Sequence, residues 1–270
     1  AFALDVNAAQ AAVSNCTIVA PRGTALRKRG IYDLRSGHNI LVAGGSETNS
    51  AIAWEDGALY SDWNNLVARD SAWIGSRNGK WEKLAYWQLA SGQDANSVSF
   101  ETTNSFQSET DGDFHLYSTA GRWSPVLNRW DTDTVHSVLI DLGDPWLGVG
   151  LEPWYDGKRR NLGAYGGTAQ ASKSVTNFWL TALSHNDGGV VKGTNVVLRW
   201  TCGNEDGQSV VLQYSADGVT WSNIATRAAD EGSYQWDTGG FPDSFSAYWR
   251  VVAEDGSGGD TNDYPFALRN

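Results

Sequence analysis

Methionine is absent from this chain, and cysteine, proline and histidine are scarce, at two, six and four residues. Two cysteines cannot staple a small disulfide scaffold, so any stable fold must rest on a packed apolar core, for which 270 residues suffice. Cys16 and Cys202 lie far apart. Neither sits in a CxxC pair, and no histidine stands beside them at metal-ligand spacing. They read as two thiols acting as small hydrophobes, with a disulfide between modules as the alternative. His38, His115, His136 and His185 are scattered and suggest neither a triad nor a metal cluster. The serine-rich runs contain no G-x-S-x-G. No apolar stretch is long enough to span a bilayer. Positive charge is also in deficit, leaving a formal net charge of −11. That balance opposes nucleic-acid phosphates and anionic membrane surfaces, and it is compatible with Ca²⁺ or neutral glycans. The chain starts at Ala1 with no initiator methionine and no signal peptide, which reads as a processed or excised piece of a secreted protein.

What is present favours sheet. There are 14 tryptophans and 30 glycines, and short runs of β formers are punctuated by Gly, Asn and Asp. Helical periodicity is confined to Ala3–Ala12 and to a turn or two over Trp81–Leu89. From Val13 to Tyr117 short runs recur at loose intervals: Val13–Val19, His38–Ala43, Ala51–Trp54 and Ser61–Val67. A period of roughly 20–25 residues is that of a solenoid. Each coil of a β-solenoid gives short strands to parallel sheets, with stacked aliphatics inside and asparagines stacking at the turns.

The phrase Gly92-Gln-Asp94-Ala-Asn96-Ser97, then Phe106, then Gly112-Asp-Phe-His-Leu116, resembles the closing segment of right-handed parallel β-helix repeat proteins, a pectate-lyase-like family. Ile140-Asp-Leu-Gly-Asp-Pro145 and Asn161-Leu-Gly-Ala-Tyr165-Gly-Gly-Thr168 resemble the same family's tail. The middle phrase departs, with Asn104-Ser-Phe106 where Asp-Pro-x-Phe is usual. The resemblance covers the first two-thirds of the chain, and it implies a secreted surface protein. A solenoid end exposes unpaired backbone, so a capping element is expected there.

After Lys173–Asn177 the pattern changes to strict alternation: Val196, Leu198 and Trp200 against Val197, Arg199 and Thr201, then Val210, Leu212 and Tyr214 before a turn at Asp217-Gly218. About seven such strands resemble an Ig-like or fibronectin-III-like sandwich module. The expected architecture is therefore all-β. Residues 1–174 form a short right-handed parallel β-helix with its closing segment, and residues 175–270 form an antiparallel β-sandwich of Ig type.

Chemistry is harder to find. Asp141 with Asp144, and Asp111 with Asp113, are near in sequence, but glycoside hydrolysis needs two carboxyls flanking a cleft. Asp141 and Asp144 read as turn formers. Arg27-Lys28-Arg29 is the one tight basic cluster and reads as a solvated loop. Asp111-Gly-Asp113 and Asp131-Thr-Asp133 offer oxygens to Ca²⁺ without completing a loop motif, so no cofactor is expected beyond that cation. Asn15-Cys16-Thr17 fits a glycosylation sequon but reads better as a buried rung strand. The tryptophan surplus remains. Trp54, Trp63, Trp73 and Trp81 are candidate glycan contacts, with Trp87 beside them and Trp123, Trp130, Trp146 and Trp154 in the closing segment. The expected function is a non-catalytic extracellular or cell-surface module that adheres or assembles into fibres. Its expected partners are other copies of itself, an upstream β-helix region or an extracellular polysaccharide, with no nucleic acid and no membrane span. The tail of a polysaccharide lyase or hydrolase and a glycan-binding module are the alternatives.

Overall fold

The computed structural model describes residues 1–7, 10–193, 195–204 and 207–270. The chain divides into two compact units, Ala1–Val175 and Thr176–Asn270.

The first unit opens with a parallel β-helix of about three turns. Its first sheet stacks Phe2–Val6, Thr24–Lys28, Ser50–Trp54 and Trp73–Ser76, with Lys80–Trp81 added antiparallel. The second stacks Ala11–Ser14, Leu34–Gly37 and Leu59–Asp62. The third stacks Thr17–Ala20, Ile40–Ala43 and Asn65–Ala68. Register aligns like on like, as a solenoid interior requires: Leu4, Leu26 and Ile52 form one column, and Leu41 and Leu66 lie in another. The helix expected over Ala3–Ala12 is not there. Phe2–Val6 and Ala11–Ser14 are strands, and Ala8 and Ala9 lie outside the described residues. Pairing with the next coil overrides the helix propensity of alanine.

Two devices fix each coil. The corner between the second and third sheets turns through one left-handed residue per coil: Asn15, His38 and Trp63, with φ of 51°, 60° and 56°. Ordinary side chains pay for that conformation, so the stack of corners must hold them. It does so by continuing the ladder, with the Asn15 N–H donating to Gly37 O and the His38 N–H to Trp63 O. The second device is a buried amide ladder beside the corner. Asn39 and Asn64, 25 residues apart, are both fully buried, and Asn64 Oδ1 accepts from the Asn39 backbone and side chain at 3.0 and 3.1 Å. Asp94 ends the ladder. Its Oδ1 accepts from Asn64 Nδ2, Ser61 Oγ and Ser97 Oγ, and its Oδ2 from Trp87 Nε1 at 2.8 Å. This is the physical content of the Gly92–Ser97 phrase. The terminal rung receives donors from the previous coil, its own turn and the closing helix and has no further amide to donate to, so an acceptor-only carboxylate fits.

The helix Leu84–Ser91 closes the core at that end by inserting Leu84 and the fully buried Trp87. Gly75 lies under the indole: a Cβ there would stand 2.2 Å from Trp87 Cε3. Residues 139–174 then run back over the outside of the third sheet. Gly163, at φ +87°, comes so close that a Cβ would lie 2.6 Å from Ile40 Cδ1 and 2.7 Å from Thr17 Oγ1. Its N–H donates to His38 O.

The second unit is a sandwich whose strands pair antiparallel, except that Val190–Val191 runs parallel to Phe266–Leu268. One sheet is Trp179–Ala182, Val196–Gly203 and Ser233–Trp236. The other joins Val190–Val191, Phe266–Leu268, Ser244–Ala253, Ser209–Ser215 and Ser222–Ala228, with Gly259–Thr261 on the long strand. Alternation places Leu198, Trp200 and Trp236 against Leu212, Tyr214, Trp249 and Val251 in one core. Asp217 Oδ1 accepts from the Val219 and Thr220 N–H groups in the hairpin, which holds its carboxyl down at about 2. Both cysteines are half-buried and neither is in a disulfide, with Cys16 Sγ donating to Ser14 O and Cys202 Sγ to Ala229 O.

Candidate functional site

The four tryptophans singled out as glycan contacts are held within the β-helix. Trp54 is 7% exposed, carries the Arg77 guanidinium 3.2 Å from its ring centroid, and donates Nε1–H to Gly57 O. Half-buried Trp73 has Lys80 over its ring at 5.8 Å and donates to Glu47 O. Half-buried Trp63 has Arg159 at 5.5 Å. Trp81 is half-buried beside the core and leaves its Nε1 buried without a partner. Among the described residues no ring contact joins any two of the four.

The two exposed tryptophans lie in the closing segment, between Asp144 and Tyr155; the other open aromatics, Phe2, Tyr32, Tyr60, Phe245 and Tyr264, are scattered. Trp146 is 93% exposed and Trp154 75%, with Leu151 and Tyr155 also open. The Trp154 and Tyr155 rings stand 5.2 Å apart, inclined by 32°. Such a concentration of apolar surface on one short segment is a mark of interaction. The backbone beneath it is tied down. The Asp144 N–H donates to His38 Nε2 at 3.1 Å, and the Trp146 N–H to Asp144 Oδ1 at 2.9 Å. Arg160 holds Gly148 O, the Leu151 N–H reaches Gly167 O, and the Ser174 N–H reaches Tyr155 O. Burial first, and Arg160 second, lower the His38 pKa below its ordinary value, so the ring is neutral and Nε2 accepts.

Two buried carboxyls lie just before and within this segment. Asp141, at φ +60°, accepts from Ser174 Oγ at 2.8 Å, and burial lifts its pKa to about 8. Glu152 Oε1 accepts from the Asn161 and Gly167 N–H groups, while Oε2 is buried with no hydrogen-bond partner. Burial lifts the Glu152 pKa to about 7. Raised carboxyls attract suspicion as catalytic acids. Here the residues are 1% and 8% exposed, which bars a polysaccharide from them. Asp144, the supposed partner of Asp141, instead caps the loop at Trp146.

Elsewhere the polar groups are engaged in structure. His115 is buried, its Nδ1 is 2.6 Å from Asp113 Oδ1, and its ring stacks 3.5 Å from Tyr165. Its Nε2 has no partner, so no hydroxyl or thiol completes a triad. Asp111 accepts from Ser108 Oγ and Asp133 pairs with Arg122. Among the described residues no group of three or more His, Cys, Asp or Glu converges to hold a metal. Arg27-Lys28-Arg29 is not a solvated loop. Arg27 pairs with Glu55 and Asp5, Arg29 with Asp5, and buried Lys28 donates Nζ to Arg29 O, Gly30 O and Asp56 O. Asn15 of the sequon lies at a corner, its Nδ2 buried and its Oδ1 held by Arg160. A shallow depression of about 410 Å³ is lined by Gln10, Ile31, Tyr32 and Asp33. Among the described residues no helix is long and apolar enough to cross a membrane.

No protein-family model matches the chain, and no curated protein does. Among solved structures, a crystal structure of an engineered protein shares 20% identity over 37% of this chain and 21% of that one, with a TM-score of 0.25. The chain thus spans about a fifth of that protein's length, a likeness too slight to speak to fold or function.

Proposed function

We propose that the chain is a non-catalytic, extracellular module of a secreted β-helix surface protein, and that it adheres to neutral polysaccharide through Trp146, Trp154 and Tyr155. The observation that carries this reading is the pairing of exposed rings with an anchored backbone. Two indoles stand 93% and 75% open on a segment tied down at Asp144, Gly148, Leu151 and Tyr155. Sugar rings present C–H faces that stack on such indoles, and a pre-ordered segment loses little entropy on binding. A net charge of −11 favours neutral glycans over uronates. The resemblance to pectate-lyase-like β-helix proteins, and of the second unit to Ig or fibronectin-III modules, supports a secreted surface protein over a free enzyme.

Adsorption of the chain to acid-swollen cellulose, chitin and xylan, with polygalacturonate as the acidic comparison, tests the reading. Binding to a neutral polymer is expected, weakened about tenfold or more in Trp146→Ala and in Trp154→Ala. Binding indifferent to both substitutions, or none at all, overturns it. Release of sugar ends from polygalacturonate, with or without Ca²⁺, would favour the enzymatic alternative instead.

A second reading, assembly by stacking of coils, rests on a different observation. Phe2–Val6, Ala11–Ser14 and Thr17–Ala20 each pair on one side only among the described residues. Such edges accept a further coil from another copy or from an upstream β-helix region. Light scattering across a concentration series separates stacking from a monomer.

A further inference from the structure

The buried carboxyls have a geometry that turn formation alone does not require. Residues 141–155 carry the exposed Trp146, Trp154 and Tyr155, and a carboxyl sits at the start of that stretch and another near its end. The first reaches across to Ser174 through Ser174 Oγ, and the Asp141 N–H donates to Asn161 Oδ1. The second accepts the Asn161 and Gly167 N–H groups on Oε1. Asn161 in turn donates Nδ2 to Ser172 O. Gly157 closes over the Asp141 carboxyl so tightly that a Cβ would lie 2.1 Å from Oδ2. The two acids therefore knit the aromatic stretch to the return at 157–174, and they do so out of water.

We propose that Asp141 and Glu152 form a proton-operated latch: uncharged, they clamp the aromatic stretch to the return, and ionised, they let it lift. This rests on the reading of Trp146, Trp154 and Tyr155 as a polysaccharide platform, to which it adds a regulator. Burial of both carboxyls drives release, helped at Asp141 by the neighbouring Glu152, and it outweighs the donated hydrogen bonds and, at Glu152, the Arg160 charge, which oppose it. Asp141 faces Glu152 and Asp156, with Arg159 opposing them, and Glu152 faces Asp156, with Arg160 opposing. Both arginines donate to carbonyl oxygens, Arg159 to Gly143 O and Arg160 to Gly148 O, and Arg160 also reaches Asn15 Oδ1. Ionised Glu152 leaves Oε2 charged and buried with no donor, a costly state that lifting relieves. Each ionisation sends one proton to solvent. His38, on the coil corner beneath Asp144, titrates below its ordinary 6.5 and so stays neutral throughout the window.

The direction follows from linkage. Both carboxyls in the closed form lie above their ordinary values of 3.8 and 4.5, at about 8 and about 7. The closed form therefore keeps protons that the lifted form gives up, and rising pH favours lifting until about 8.

Hydrogen exchange on the full chain tests this through the protection of the Asn161, Gly167 and Ser174 amides, with Leu212 of the sandwich as internal reference. Each released proton makes protection fall about tenfold per pH unit, so a loss of about 30-fold or more is expected between pH 6.5 and 8, then a plateau. The double variant Asp141→Asn, Glu152→Gln is expected to lose the slope. Wild-type protection that stays constant from pH 6.5 to 8.5 overturns the latch without any variant, as does an equal slope in the double variant. Adsorption to acid-swollen cellulose at pH 6.5 is measured alongside. A chain that shows the slope but never adsorbs keeps the latch and loses the platform.

Discussion

Replacing Asp94 by asparagine sets two effects of similar size against each other. The carboxylate ends the amide ladder and gathers four donors: Ser61 Oγ, Asn64 Nδ2 and Ser97 Oγ on Oδ1, and Trp87 Nε1 on Oδ2. An asparagine of the same shape has one acceptor oxygen and one NH₂. If its oxygen takes the Oδ1 position, its NH₂ meets the Trp87 N–H. If it flips, its NH₂ meets Asn64 Nδ2. Either way a buried donor loses its acceptor, at a cost of about 1–3 kcal/mol. The opposing effect is relief from burying a carboxyl. Burial raises the Asp94 pKa, while hydrogen bonds from Trp87, Ser97, Asn64 and Ser61 pull it back. With four donors already in place the lost acceptor outweighs that relief, and a net loss of about 1–2 kcal/mol is expected. Hydrogen exchange at the Cys16, Asn39 and Asn64 amides, which donate into the ladder or into its last serine, reports the β-helix separately from the sandwich. Asp94→Asn as stable as wild type, or more stable, would refute the reasoning. It would mean that the carboxyl is held protonated and that the terminal rung does not need an acceptor-only group.

Three further outcomes follow from the packing. Gly75→Ala forces a Cβ into the Trp87 ring, which its bond to Asp94 holds in place. A loss of about 1–3 kcal/mol in urea unfolding of the first unit is expected, and Gly79→Ala, 3.2 Å from the edge of Trp81, should cost less. Lys28→Met keeps the length of the side chain but orphans the carbonyls of Arg29, Gly30 and Asp56, for an expected loss of about 2–3 kcal/mol by thermal melting. In the sandwich, burial lowers His185 to about 4, and its Nε2 has no partner. The unfolded chain then binds a proton that the folded unit refuses between about 6.5 and 4. Stability should fall by about 3 kcal/mol as pH drops through that window, and His185→Asn, which tolerates φ of 60°, should flatten the curve.

The two units were legible in the sequence for different reasons. The sandwich announces itself by strict alternation, since one face of each strand is buried, and by the Asp217-Gly218 turn. The β-helix shows through recurrence near 25 residues, the spacing of Asn39 and Asn64. What escaped was what depends on a partner one coil away. Phe2–Val6 reads as helix until Thr24–Lys28 is laid beside it. The coil corners carry Asn15, His38 and Trp63 where a left-handed residue would suggest glycine, because strain borne by the stack leaves no glycine to read. Trp54 gives no sign in sequence that Arg77 covers its face. Asp141 is a turn residue as expected, but its burial depends on Gly157 and Ser174, which sequence distance hides.

Comparison of the tryptophans explains why the closing segment, and not the coils, is the better place for a platform. On a coil, an outward ring lies over strands whose neighbours carry long cationic side chains, and these fold onto it, as Arg77 does on Trp54 and Lys80 on Trp73. Covering a ring in this way removes apolar surface from water and gains a cation–π contact, so bare rings on a regular sheet tend to be filled by the chain itself. The segment 144–155 escapes this because it lies in no strand, so no neighbouring strand lays a cationic side chain beside its rings. Prolines and glycines flank it, as in Asp144-Pro-Trp146 and Glu152-Pro-Trp154, and they supply no side chain long enough to cover an indole. The arginines nearest in sequence, Arg159 and Arg160, are turned to Gly143 O and Gly148 O. The cations that would otherwise quench the platform are thereby used to anchor it. Arg160→Ala should therefore loosen the segment as measured by Leu151 exchange, whereas Trp146→Ala should leave that exchange unchanged and remove only adhesion.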